Sequence, residues 1–134
     1  MKELLRIREI SNKQPFLQWM GFEILEAGSG WVKERLPVRP EFFQPDVVHG
    51  GVIYAMADTL AAHSVLSVVY PEEWATTVEQ KINFLRPLID TAMLGTGRVI
   101  QLGNRIAYCE AEVTTEAGKL IAKSTATIMR IPRK

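Results

Sequence analysis

Residues 47–64, VVHGGVIYAMADTLAAHS, decide the architecture. From about Gly50 to Val69 they open the longest helical pattern in the chain, and Pro71 closes it. Ala55, Ala57, Ala61 and Ala62 favour helix, and their small size permits close packing on a sheet. Gly50-Gly51 at the start allows close approach of a ligand to the backbone. First-turn amides of a helix lack internal partners, so they can bind an anion or a polarised carbonyl oxygen. By itself the pair reads either as such an oxyanion site or as a tight turn. Asp58 sits inside this apolar helix. It either reaches solvent, pairs with a local Thr, or serves as a base. His49 caps or orients the loop, or contacts a substrate carbonyl. His63 follows Asp58 by five residues, about 140° around the helix, and is expected on a different face. His49 and His63 lack metal-ligand spacing, and there is no HExxH or cysteine cluster, so no metal is expected.

Outward from this helix the pattern changes. Residues 2–10 predict an amphipathic helix with Leu4, Leu5, Ile7 and Ile10 on its apolar side. Residues 16–20 predict a short helical turn ended by Gly21. Strands are expected over 22–27 and 31–36, around the turn Gly28-Ser29-Gly30. In the second, Trp31, Lys33 and Arg35 alternate with Val32, Glu34 and Leu36. RPEFFQPD, residues 39–46, is a loop. After a loop at 71–75, strands are expected over 76–87, 91–101, 105–114 and 120–129. Val78, Ile82 and Phe84 are the expected inward residues of the first of these four. Residues 116–119 form a hairpin turn. The order predicts an α+β domain, one long helix against one face of a mostly antiparallel sheet. Residues 1–134 are expected to form a single domain, with 1–20 as a helical N-terminal extension.

Composition narrows the function. Sixteen Lys and Arg against fifteen Asp and Glu give a net charge of +1, which argues against a nucleic-acid binder. Hydrophobic residues are 47% and charged residues 23%, a globular balance. Asp58 and His63 interrupt the apolar tract, so it is read as a buried helix and not a membrane span. One cysteine, Cys109, allows no intrachain disulfide. That predicts a reducing, cytoplasmic setting. The opening MKELLRIREI lacks the apolar run of a secretory signal. Cys109 reads as a sheet residue and not a nucleophile. Lys81, Arg86, Arg98 and Arg105 are candidates to meet phosphates.

HGGVIYAMAD, the later KINFLRP and the tail TTEAGKLIAKSTATIMRI resemble the hot-dog-fold acyl-CoA thioesterases, in particular the phenylacetate-degradation type. The resemblance runs from about Gly21 to Ile131. It implies a long central helix wrapped by a curved antiparallel sheet and hydrolysis of acyl-CoA to a carboxylic acid and CoA, with no cofactor. It further implies a homodimer, often paired into a homotetramer, with Asp58 from one subunit facing the His49-Gly50-Gly51 loop of the other. The implied catalytic set is Asp58 as general base or nucleophile, the Gly51 amide as oxyanion donor, and His49, Gln44 and Thr77 as positioning groups. Gln44 stands where the family often has Asn, in a loop one residue shorter. Gly50, Thr59, Asn83, Arg86 and Arg105 are the expected substrate contacts, and which basic residues meet the CoA phosphates stays open. Thr59 and Thr76 are alternatives to Thr77. A thioester-linked dehydratase and a noncatalytic acyl-CoA-binding module are the rival expectations. No membrane and no nucleic-acid partner is expected from the charge balance and the interrupted apolar tract.

Overall fold

A computed structural model describes residues 1–89 and 91–134. The N-terminal helices are α1 (Lys2–Asn12) and α2 (Pro15–Met20), followed by strands β1 (Glu23–Gly28) and β2 (Trp31–Pro37). The long helix is α3 (Gly50–Val69). Strands β3 (Glu73–Phe84), β4 (Ala92–Leu102), β5 (Ile106–Thr115) and β6 (Leu120–Pro132) complete one six-stranded sheet in the order β1-β2-β4-β5-β6-β3. Every neighbouring pair is antiparallel. This is the expected hot-dog arrangement.

Helix α3 is apolar around most of its circumference, and such a helix must be enclosed. It contacts β1 through β6. Ile53, Met56, Ala57, Leu60, Ala61, Val65 and Leu66 are all buried against them. The close approach is set by β4. A Cβ at Gly97 would lie 2.4 Å from the Leu60 carbonyl oxygen, and one at Gly95 would lie 2.4 Å from Leu60 Cδ1. Strand β6 keeps the expected alternation, with Ala122, Ser124, Ala126 and Ile128 buried.

Three expectations need correction. Strand β3 begins at Glu73 and not after residue 75, with Ala75 already buried. Val78 and Phe84 do not point inward; they are 54% and 51% exposed. A bulge between Thr77 and Glu79 takes Val78 out of the ladder and shifts the alternation beyond it. Being the sheet's edge, β3 also has one side without a strand partner. In α1 the buried residues are Ile7, Ile10 and Ser11, while Leu5 is exposed.

The two N-terminal helices are tied into the body. Arg6 Nη1 donates to the Ser67 carbonyl at 2.7 Å, and Arg8 Nη2 donates to the Ile24 carbonyl at 3.0 Å. Gly21 ends α2 at φ +94°, a left-handed turn that suits glycine. These contacts bring α2 beside the middle of α3 and the start of β3, where it forms part of a cavity wall.

Candidate active site

Asp58 lies on α3, half-buried, and faces β3. Thr77 Oγ1 donates to its Oδ1 at 2.6 Å. The β3 bulge falls immediately after Thr77, so the ladder holds Thr77 inward opposite Ile128 before the strand changes face. Both residues line a cavity of about 360 Å³ between α3, α2 and the start of β3. Thr59, Thr76 and Gln14 add polar groups to its wall, and Phe16, Leu17, Leu66 and Trp74 add apolar surface. Thr59 is already committed locally, because its Oγ1 donates to the Ala55 carbonyl at 2.8 Å.

The second cluster is the start of α3. His49 is the N-cap, and its Nδ1 accepts from the Gly51 amide at 2.7 Å. The His49 amide donates to the Phe42 carbonyl at 2.8 Å, and the Val48 amide to the Leu88 carbonyl at 2.9 Å, which fixes the loop. The Val52 amide donates to the His49 carbonyl at 3.0 Å. One first-turn amide is left: that of Gly50 has no acceptor among the described residues. Gly50 borders a groove of about 320 Å³ with Gln44, Phe84 and Arg86. The expected oxyanion donor, Gly51, is therefore occupied by the capping histidine, and the available amide is its neighbour's.

The structure thus sorts the expected residues into two groups. Asp58, Thr59 and Thr77 share one cavity, and Gln44, Gly50 and Arg86 share another, with His49 and Gly51 at the helix start. Arg105 joins neither. It lines a separate depression at the β4–β5 turn with Asn104 and Tyr108. Asn83 is exposed on β3, opposite Lys123. Cys109 is buried in β5, and burial pushes its thiol up to about 11, so a thiolate nucleophile is not available near neutral pH.

His63 lies on a different face of α3 from Asp58, paired with Glu34 on β2 while Asp58 pairs with Thr77 on β3, yet both line the same cavity. Sequence reasoning passed over Glu34. It is fully buried on β2, with Oε2 2.5 Å from His63 Nδ1. The signal was present, since Glu34 alternates with Val32 and Leu36 on what proves to be the inner face. The cavity contacts from α2 and from Trp74 had no such signal.

The profile of the Thioesterase superfamily matches residues 46–122, which include His49, Gly50, Gly51, Asp58, Thr77 and Arg86 but not Gln44. A Haemophilus influenzae protein named "Putative esterase" is 33% identical over 112 residues, covering 81% of this chain and 80% of that protein. A 1,4-dihydroxy-2-naphthoyl-CoA hydrolase of Listeria monocytogenes is 27% identical over 110 residues, covering 81% of this chain and 89% of that one. Among solved structures, a thioesterase family protein of Silicibacter pomeroyi superposes with a TM-score of 0.92 at 24% identity, covering 98% of this chain and 99% of that one. A thioesterase of Haemophilus influenzae superposes with a TM-score of 0.87 at 25% identity, covering 96% and 90%. By its fold and by these sequence matches, the chain belongs to the thioesterase superfamily and is a hot-dog-fold hydrolase.

Proposed function

We propose that this hydrolase cleaves acyl-CoA thioesters to a carboxylic acid and CoA, with Asp58 as the catalytic carboxylate. The observation that carries the reading is the Thr77–Asp58 hydrogen bond at 2.6 Å on the wall of a cavity large enough for a compact acyl group. Thr77 uses its proton on Oδ1, which holds the carboxylate in one orientation. The remaining carboxylate lone pairs accept a proton from water, or one oxygen attacks the acyl carbon directly. The Listeria relative, whose substrate is a CoA thioester, supports the choice of CoA over other thiols.

The thioester carbonyl needs a donor as its oxygen gains charge. The unpaired Gly50 amide at the start of α3 is the group that fits, with the helix dipole behind it. Eight residues separate Gly50 from Asp58, about 12 Å along the axis at 1.5 Å per residue. One copy therefore does not bring both groups to the same carbonyl. That separation supports a homodimer in which Asp58 and Thr77 of one chain face the Gly50 loop of the other. Gln44 and Arg86 border the same loop, placed for the polar part of CoA.

The test is release of free thiol from a panel of short, medium, long and aryl acyl-CoA esters. Asp58→Asn is expected to lower kcat/KM by at least about 100-fold while leaving the folded, oligomeric protein intact. Undiminished hydrolysis by that variant would overturn the role of Asp58. Binding of the esters with no thiol release across the panel would make the chain a binding module.

A further inference from the structure

Deep in the Asp58 cavity a second polar pair is built into the wall. His63, on α3, is 2% exposed, and Glu34, on β2, is 0% exposed. Glu34 Oε2 stands 2.5 Å from His63 Nδ1. Glu34 Oε1 is sealed from solvent and has no hydrogen-bond partner among the described residues. His63 is among the residues that line the cavity that also holds Asp58 and Thr77.

Stability does not call for this pair. A buried carboxylate with one oxygen unpaired costs free energy, and a well-packed apolar pair of similar volume would join α3 to β2 at least as well. What the pair does achieve is orientation. Where Glu34 is ionised it can only accept, so that contact engages the Nδ1 proton and fixes the ring. Nε2 is then the ring's remaining hydrogen-bonding atom, and no described residue engages it. With Nδ1–H given to Glu34, a neutral ring offers Nε2 as an acceptor. Its complement is a hydroxyl group.

We infer that His63 Nε2 reads a hydroxyl on the acyl portion of the substrate, with Glu34 as the positioning residue that holds the ring. This rests on the reading of Asp58 as the site of thioester cleavage. His63 lies five residues beyond Asp58, about 7.5 Å along the helix. A hydroxyl beside it belongs several bonds from the carbonyl, as on an aromatic ring or a short hydroxyacyl chain. The rest of the wall suits such a group, because Leu17, Leu66 and Trp74 provide apolar surface around the one imidazole. A volume of about 360 Å³ favours a compact acyl group over a long chain.

The experiment compares kcat/KM within matched pairs of thioesters: benzoyl-CoA against 3- and 4-hydroxybenzoyl-CoA, and butanoyl-CoA against 3-hydroxybutanoyl-CoA. The readout is the ratio within a pair, so a smaller folded fraction cancels. The wild-type protein is expected to favour the hydroxylated member of at least one pair by about tenfold or more, with 4-methoxybenzoyl-CoA behaving like the unsubstituted ester. His63→Leu should bring the ratio close to one. That variant leaves the Glu34 carboxylate buried and unpaired, so Glu34→Leu/His63→Leu, which removes both groups, is measured beside it and should give the same loss. Glu34→Gln should keep most of the preference, because its amide oxygen still accepts from Nδ1. Equal kcat/KM within every pair in the wild type, or a preference that survives in the double variant, overturns the role of His63 and leaves the thioesterase reading standing. Failure to hydrolyse any ester overturns both.

Discussion

At the scale of single residues, Asp58 gains its meaning from Thr77. A carboxylate on an apolar helix has several explanations, and the 2.6 Å bond from a strand residue nineteen positions later gives it a defined partner and orientation. The bond leaves Oδ2 without a protein donor among the described residues, available to water or to an acyl carbon. Thr77→Val keeps the shape and removes the donor. Its kcat is expected to fall about tenfold, with a thermal midpoint lowered by no more than about 5–10 °C, since a single hydrogen bond to a charged group is worth roughly 1.5–3 kcal/mol. A steady-state assay beside a melting curve checks this. A Thr77→Val enzyme with unchanged kcat would mean that Asp58 does not need the threonine to hold it. Cys109, by contrast, is a packing residue, and its sealed thiol should not compete in a thiol-release assay.

At the scale of elements, the decisive contact is α3 against β4. The periodicity of residues 50–69 was enough to predict the helix, and the pattern of 91–101 enough to predict the strand. How close the two come was not legible, because Gly95 and Gly97 read equally well as weak points in a strand. The structure makes them the places where a helix backbone rests on a sheet. Gly97→Ala puts a methyl carbon 2.4 Å from the Leu60 carbonyl oxygen, an atom that cannot swing aside. The expected cost is about 3 kcal/mol, or roughly 10 °C in Tm for a domain of this size, measured by thermal or urea unfolding. The bulge in β3 is similar in kind. Alternation alone sent Val78 and Phe84 inward, and only the pairing of Thr77 with Ile128 and Glu79 with Thr127 reveals the extra residue.

At the scale of the whole molecule, the two candidate clusters lie too far apart on one helix to act on the same bond. The proposed sharing of one site between two copies has a direct consequence. Gly50→Pro removes the free amide at the first helical position, where proline is tolerated, although its ring must displace Phe84 slightly. Asp58→Asn and Gly50→Pro are each expected to be nearly inactive as pure proteins. Co-expressed and mixed, they should recover about a quarter of wild-type activity, because half of the dimers formed at random carry one intact site of two. Mixtures no more active than their components would place the whole site within one chain.

The sequence by itself determined the helix, the strand order along the chain, the HGG loop and the position of Asp58. All of these follow from local periodicity, turn residues and motif spacing. Tertiary structure alone decided which groups meet. It paired Thr77 with Asp58, gave the Gly51 amide to His49 and left the Gly50 amide free. It also set a buried glutamate behind His63 in the same cavity. The reason is physical. Helix and strand patterns state which face a residue occupies, whereas a hydrogen bond depends on the distance between two faces, and that distance was fixed by glycines and a bulge whose effect appears only when the sheet closes around the helix.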